Sequence, residues 1–338
     1  MEIDDLRLIR ALQLAPRASF ARLAGAVGIH ERTAARRYRR LRREGILRIF
    51  GMVNPMASGS SFWQVRVRCR PDASESLAAA LAARDDIAWV FVTAAGSEVS
   101  FSVRSLSADR RDLLLTRSLP RSAHVLGIDA NVVLHVFLGL SSRGWSELDG
   151  LLTSEEVAQL ADTDAPGPGV APLQLEPYDA ALFDVLAADG RATTARLAAA
   201  AGISEGRAAR RLATLIRART LVIDVDLAHD VFGFTVGAQI HFTVSPAHLR
   251  EVGEALARLP EVGFVAAMSG RNNLMASAAC RDLSHLYEFT TGRAGALKGI
   301  VSMEVVPFAR VVKQAGGMVV DGRLVDPAQL RMRPGWSP

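Results

Sequence analysis

The chain repeats itself. Arg17-Ala18-Ser19-Phe20-Ala21-Arg22-Leu23-Ala24 returns as Arg191-Ala192-Thr193-Thr194-Ala195-Arg196-Leu197-Ala198, an offset of 174 residues. The offset holds without a gap from Asp5/Asp179 to Ile49/Ile223, and 21 of those 45 pairs are identical. Alanine inflates chance identity, but the paired Gly28-Ile29 and Gly202-Ile203 are not alanine noise. Nor is the Ala-Ala-Arg-Arg at 34–37 and again at 208–211. A repeat of this length sets the organisation before any element is assigned. The 338 residues divide into two units of about 150 residues each, plus a connection. Residues 141–178 hold one arginine against seven acids. They include a helix-like stretch from Ser154 to Ala161 and then Ala165-Pro166-Gly167-Pro168-Gly169-Val170-Ala171-Pro172, which punctuates a linker. That Gly-Pro-Gly is no phosphate loop, because no strand precedes it and no helix directly follows.

Composition narrows the class. With 49% hydrophobic and 22% charged residues, the chain is neither disordered nor fibrous. No apolar run approaches the roughly 20 residues that cross a bilayer. The opening Met1-Glu2-Ile3-Asp4-Asp5 lacks the basic and apolar regions of a signal peptide, so the expectation is a soluble, cytoplasmic protein with no membrane partner. Cys69 and Cys280 are too few for a disulfide framework or a cysteine-based zinc site. Arginine supplies 38 of the 40 cations, a bias that GC-rich codon usage also produces. The placement of the charge says more than its total of +5. Residues 1–50 carry twelve arginines against five acids, a net of +7, and the other 288 residues sum to −2. The matching stretch 174–223 has seven arginines against five acids, a net of +2. A basic pole on a nearly neutral body points to a polyanion at one end.

Each copy opens with three helical signals. Leu6, Ile9 and Leu12 fall at helical spacing. Ser19 is an N-cap for the stretch Phe20–Val27, and Gly28 suits the left-handed residue that ends it. Glu31 to Glu44 reads as a third helix. At 100° per residue Ala34, Tyr38 and Leu41 form its narrow apolar stripe, and Arg32, Arg36, Arg39, Arg40 and Arg43 lie on the opposite side. Two helices joined by a short glycine turn, the second basic outward, make a helix-turn-helix pattern. A solvated face usually interleaves acids at i,i+4; none lies between Glu31 and Glu44, and the clustered arginines repel one another until an anion arrives.

After each helical module the period changes to two. Strands are expected at Gln64–Cys69, Ile87–Ala94, Val99–Val103 and Asn131–Val136, with helices at Ala73–Arg84 and Ala108–Ser118. The second copy repeats the order. Its strands are Thr235–Thr243, Val262–Met268, Leu274–Ala279 and Val301–Val306, and its helices Ala247–Arg258 and Leu283–Thr290. This βαββαβ order is the ferredoxin-like arrangement. The fold class is therefore α+β: two copies of an N-terminal, winged-helix-like helix-turn-helix followed by a ferredoxin-like domain. The expected domains are 1–50 and 176–224 (helix-turn-helix), 60–140 and 232–312 (ferredoxin-like), an acidic linker 141–175 and a tail 313–338.

Several stretches carry the likeness to a known family: Asp5-x-x-Leu8-Ile9-x-x-Leu12, Ser19-Phe20-Ala21-x-Leu23-Ala24 and Val27-Gly28-Ile29. Ala35-Arg36-Arg37-x-x-x-Leu41-x-x-x-Gly45-Ile46 continues it, and the second copy repeats it at Asp179-x-x-Leu182-Phe183, Gly202-Ile203-Ser204 and Arg210-Arg211. In these residues and in element order the chain resembles the Lrp/AsnC (leucine-responsive/asparagine regulator) family of transcription factors. The resemblance implies a regulator that binds double-stranded DNA and responds to a small effector, an amino acid or another small carboxylate metabolite, with no cofactor and no catalytic role. It also implies that the chain is a dimer fused into one polypeptide, a pseudo-dimer that associates further into homo-oligomers. The DNA-facing residues carried over are Ser19, His30, Arg32, Thr33, Arg36, Arg37, Arg39, Arg40 and Arg43, then Ser204, Arg207, Arg210, Arg211 and Arg217. Arg32, Arg39 and Arg40 become Gly206, Ala213 and Thr214 in the second copy, so the first module is expected to supply most of the DNA affinity.

The family places a G-x-x-D loop between its second and third strands, at the dimer interface. The matching loops here are Gly96-Ser97-Glu98, which is shortened, and Gly270-Arg271-Asn272-Asn273, where asparagine replaces the acid. An ammonium group wants a carboxylate, so Arg271 becomes the candidate clamp for a carboxylate-bearing effector. Both loops also read as plain polar hairpin tips. The seven histidines show neither a close pair nor an HExxH; His135 and His241 fall in strands and read as core or face residues, and Glu155-Glu156 reads as solvated charge. Two other readings stay open. Siroheme decarboxylases resemble the same family and can be two-copy fusions, but their His-Asn-Tyr-type motif has no match at Asn54-Pro55-Met56-Ala57-Ser58-Gly59 or Ala228-His229-Asp230. The third is an interaction protein of this fold that does not bind DNA.

Overall fold

A computed structural model describes residues 1–54, 57, 61–104, 108–139, 146–160 and 173–325. The chain runs α1 (Ile3–Leu14), α2 (Phe20–Val27), α3 (Glu31–Arg43) and β1 (Leu47–Val53). It continues through β2 (Trp63–Cys69), α4 (Ser74–Ala82), β3 (Ile87–Thr93), β4 (Glu98–Val103), α5 (Ala108–Asp112) and β5 (Val125–Leu138). After α6 (Ser154–Leu160) the order returns as α7 (Asp179–Ala188), α8 (Thr194–Ala201), α9 (Glu205–Arg217) and β6 (Leu221–Leu227). Then come β7 (Val236–Val244), α10 (Leu249–Leu256), β8 (Val262–Met268), β9 (Leu274–Cys280), α11 (Leu283–Glu288) and β10 (Ile300–Gln314). A hairpin of β11 (Gly317–Val320) and β12 (Arg323–Val325) follows. These elements form two units: one of Met1–Gly59 with Ser141–Ala228, the other of Ser60–Leu140 with His229–Pro338.

The first unit holds both helix-turn-helix modules. Ser19 accepts the Arg22 N–H and Thr193 the Arg196 N–H, and Gly28 and Gly202 end α2 and α8 at φ +78° and +65°. These are the caps the sequence requires of the two turns. α3 buries Ala34, Tyr38 and Leu41, and α9 buries Ala208, Leu212 and Leu215. Each third helix is tied to its first by a buried carboxylate. Asp5 accepts from Arg37 at 2.8 Å and from Arg40 at 2.7 Å. Asp179 accepts from Arg211 at 2.6 and 2.9 Å. Burial would push the Asp5 carboxyl up, but hydrogen bonds from Arg40 and Arg37 outweigh it and hold the group below its usual 3.8.

β1 and β6, which no sequence pattern had marked, pair antiparallel from Leu47↔Leu227 to Val53↔Leu221. Both are buried along most of their length, so neither alternates cleanly between apolar and polar. Their central pair is Phe50↔Asp224, two residues related by the repeat offset of 174, so a local two-fold axis passes between them. The same axis relates a reciprocal clasp: Arg17 donates to the Gly190 and Ala192 carbonyls, and Arg191 to the Pro16 and Ala18 carbonyls.

The acidic segment differs from its reading as a linker. Residues 161–172 lie outside the described residues, as do 141–145, but 146–160 pack on the first module. Leu148, Leu152 and Leu160 are buried, Glu156 pairs with Arg7 at 2.5 Å, Arg10 pairs with Asp149, and Arg22 donates to the Gln159 carbonyl at 2.9 Å. Glu156 is thus a partner and not solvated charge.

The second unit contains both βαββαβ motifs, with strand orders β3-β4-β2-β5 and β8-β9-β7-β10. β5 and β10 outrun the strands expected at Asn131–Val136 and Val301–Val306, because each serves both motifs. β5 pairs with β2 through Val125–Val132 and with β8 through Val133–Leu138; β10 pairs with β7 through Ile300–Pro307 and with β3 through Phe308–Lys313. Eight strands therefore close into a ring, which leaves few open sheet edges. Helices cover one face, over cores centred on Phe101 and on Phe242 with Phe289. Within the stretch 313–338, read as a tail, residues 317–325 form the β11–β12 hairpin on an Asp321-Gly322 turn with φ +52° and +69°. Residues 326–338 lie outside the described residues.

Two outcomes follow from this packing. Asp5→Ala lowers the stability of the first unit by about 3 kcal/mol at neutral pH, measured by denaturant unfolding. Since the folded carboxyl sits below 3.8, its contribution is present above that value and fades as pH falls through it, so the gap to the parent chain closes in acid. A Cβ at Gly190 would stand 2.8 Å from the Phe50 backbone nitrogen, so Gly190→Val disrupts the module junction and lowers the unfolding midpoint.

Candidate nucleic-acid interface and ligand site

The twelve arginines of the first fifty residues sort by what they touch. Arg7, Arg10 and Arg22 hold the 146–160 segment, and Arg17 closes the clasp. Arg37 and Arg40 grip Asp5, Arg42 approaches Asp189 at 3.8 Å and Arg48 approaches Asp226 at 3.5 Å. Arg32, Arg36, Arg39 and Arg43 remain, all exposed on α3, with Arg39 donating to the Ala35 carbonyl. Arg37, read as DNA-facing, instead turns to the acids of α1, and Arg40 is shared between Asp5 and Glu44. Arg211, the second-copy counterpart of Arg37, is likewise held by Asp179 and the Gln174 carbonyl. Helical phase already sets Arg37 beside the apolar stripe and apart from Arg36; what it could not show is that Arg40, within the outward arc, is drawn to Asp5, 35 residues away.

At the start of α3, His30 has the extended backbone of an N-cap but makes no cap bond, whereas Ser204 accepts the Arg207 N–H. Ser19 is exposed and spent on its cap; Thr33 is half-buried. On α9, Arg207, Arg210 and Arg217 are exposed, and Arg207 lies over the Tyr178 ring at 4.8 Å.

Of the loops read as effector sites, Glu98 opens β4, while Gly96-Ser97 and Gly270–Asn273 stay outside the strands. Glu98 is buried; it accepts from Arg66 at 2.9 Å and from Thr93 at 3.1 Å. Ser97 is exposed and donates to the Ala94 carbonyl, and Gly96 supplies the left-handed turn at φ +90°. Asn273 spends its amide on the backbone of Val244, 2.8 Å to both N and O, and Asn272 receives the Thr243 hydroxyl at 3.2 Å. Arg271 is exposed. Gly270 has φ +92°, and a Cβ there would stand 2.0 Å from the Asn131 side chain.

Around these loops lies a polar cluster on the sheet face turned from the helices. Arg66 donates to both Glu304 oxygens at 2.8 and 2.9 Å. Gln64 donates to Ser100, and Ser100 in turn to Gln239 at 2.7 Å. His241 is 3% exposed, and its Nε2 makes no hydrogen bond. Burial first, then the neighbouring Arg66, lowers its pKa from 6.5 to about 4. Arg66, Gln239 and Glu304 were not singled out from sequence; the signal was polar residues at alternate positions of strands whose other face is apolar. Among the described residues no three His, Cys, Asp or Glu side chains come together as a metal site, and no helix is long and apolar enough to cross a membrane.

The fold is thus α+β, a helix-turn-helix followed by a ferredoxin-like ligand domain, which is the build of a transcription regulator. Residues 1–42 match the AsnC-type helix-turn-helix domain and residues 237–318 the Lrp/AsnC ligand binding domain. These two segments thus match the two domains of which Lrp/AsnC regulators are built. It is similar to an uncharacterized HTH-type transcriptional regulator of Pyrococcus abyssi, 28% identical over 142 residues, which are 42% of this chain and 90% of the relative. A counterpart in Pyrococcus furiosus is 26% identical over 41% of this chain and 95% of its own length. Among solved structures, the siroheme decarboxylase NirDL resembles the chain in fold at a TM-score of 0.60 and 15% identity, covering 92% of this chain and 93% of that one.

The neutral state of His241 sets a pH dependence. The folded chain keeps this imidazole unprotonated down to about pH 4, while the unfolded chain takes up a proton near 6.5. Stability of the second unit therefore falls as pH drops from 6.5 towards 4, and His241→Gln flattens that slope when unfolding midpoints at pH 7.5 and 5 are compared.

Proposed function

We propose that the protein is a cytoplasmic, sequence-specific DNA-binding transcription regulator in which one chain supplies both halves of a pseudo-dimer. The observation that carries this reading is the first unit: two capped helix-turn-helix modules are related by a local two-fold through Phe50 and Asp224, with four exposed arginines on α3. Such a unit presents two recognition helices in fixed relation, as a two-part operator requires. The modules differ. α3 offers Arg32, Arg36, Arg39 and Arg43, while α9 offers Arg207, Arg210 and Arg217 on a helix whose counterparts of Arg32, Arg39 and Arg40 are Gly206, Ala213 and Thr214. We assign most of the DNA affinity to the first module and expect an imperfectly palindromic operator. Arg37 and Arg211 are assigned to holding the helices, not to DNA. The second unit is read as the module that answers a small metabolite, and the chain as one that associates further through it.

DNA fragments from the upstream region of its own gene test the reading by mobility shift over a salt series. Replacing the four exposed arginines of α3 with glutamine flattens the log–log salt slope by roughly 3–4 units. Replacing Arg207, Arg210 and Arg217 flattens it less; equal effects would refute the asymmetry. Arg37→Ala lowers thermal stability and leaves the slope unchanged to within about one unit.

A second reading has one specific observation in its favour. NirDL, solved also in co-complex with an iron-uroporphyrin III analogue, resembles this chain over nearly its whole length. Saturable haem-type absorbance with an iron-uroporphyrin, in a protein that shifts no DNA, would replace the regulator reading with that of a tetrapyrrole enzyme.

A further inference from the structure

The two halves of the second unit correspond residue by residue at an offset of 175 along their facing strands. Arg66 pairs across the sheet with Asp129, and its counterpart His241 pairs with Glu304. Glu98 corresponds to Asn273, and Gln64 to Gln239. In the first half the Arg66 guanidinium bridges to the other half's Glu304 with two parallel hydrogen bonds and to Glu98 with a third. It is a cation between carboxylates, the geometry that binds guanidinium most strongly.

In the second half that cation is missing. Histidine ends well short of where an arginine head group reaches, and the buried Nε2 of His241 is left without a hydrogen bond. Asp129, the counterpart of Glu304, is exposed and accepts from Asn131 at 2.8 Å. Both Asp129 and Glu304 act electrostatically on His241. Glu98 and Glu304 take the Arg66 guanidinium between them, while Asp129 accepts from the Asn131 amide and acts on a His241 whose buried Nε2 is an unused acceptor. Among the described residues no three His, Cys, Asp or Glu side chains gather closely enough to hold a metal ion.

We propose that the second half binds a small organic cation with a guanidinium head, seated between Asp129 and His241 where the first half carries its own Arg66 side chain. The first half is then permanently self-occupied, and each chain takes one ligand. The planar fork donates to the Asp129 carboxylate, and a further N–H meets the neutral Nε2 of His241. The matched ligand-binding domain, residues 237–318, is the half that contains His241. The inference rests on reading the second unit as a ligand-binding module.

Calorimetric titration of the full chain with ethylguanidinium chloride at fixed ionic strength tests it, with ethylammonium chloride and sodium acetate as controls. One ethylguanidinium binds per chain, ethylammonium binds at least about tenfold more weakly, and acetate not at all. Asp129→Asn, at an exposed position, weakens binding at least about tenfold. His241→Arg supplies the head group internally and abolishes it; where that variant fails to melt cooperatively, Asp129→Asn decides. No saturable binding by the parent chain, unchanged binding by Asp129→Asn or by a folded His241→Arg, or equal binding of ethylammonium overturns the proposal. A mobility shift on the same sample reports separately on the regulator reading, since loss of DNA binding with ethylguanidinium binding intact leaves this site standing.

Discussion

The pairing of β1 with β6 is the constraint from which the rest of the DNA-facing unit takes its shape. A two-stranded ribbon alone is marginal in water. It persists here because both strands are buried against the helical modules and because Arg17 and Arg191 each satisfy two backbone carbonyls of the opposite copy. Those carbonyls belong to the turns that precede α2 and α8. The clasp therefore positions the helix-turn-helix elements themselves, and α3 and α9 inherit their relation from it.

The second unit solves the same problem in another way. β5 and β10 each cross from one βαββαβ motif to the other, so the edge strands of each motif are covered by its neighbour. Polar groups that would be costly to bury are satisfied across the same boundary: Ser100 with Gln239, Arg66 with Glu304. In both units the repeats meet through hydrogen bonds whose geometry allows one register, and apolar packing adds the bulk of the burial.

Much of the fold was legible in the residues. Ser19, Gly28, Thr193 and Gly202 punctuate their helices as their chemistry requires, and the stripe Ala34, Tyr38, Leu41 is the buried one. The alternation of Gln64 to Cys69 marks β2 because one of its faces is apolar. β1, β6, the first half of β5 and the last half of β10 were not legible, since their pattern answers to partners far along the chain and not to a local period. The candidate sites were less legible still. Arg36 and Arg40 share the outward arc of α3, and only the position of Asp5 leaves one to solvent and draws the other inward. Glu98 and Asn273 fall where the loop pattern expects a ligand group, yet both side chains are already engaged. Arg66 and Glu304 stand 238 residues apart, beyond any sequence spacing rule.

The pair on the local axis has a consequence of its own. In a dimer of two identical chains, a residue on the two-fold must face its own copy, so a buried carboxylate there meets another carboxylate. Here the position is occupied by Phe50 on one side and by Asp224 on the other, because both strands belong to one chain and need not match. Joining the repeats thus releases the centre of symmetry from the rule of like facing like. Every other position gains the same freedom to change on one side alone, as Arg66 and His241 have done.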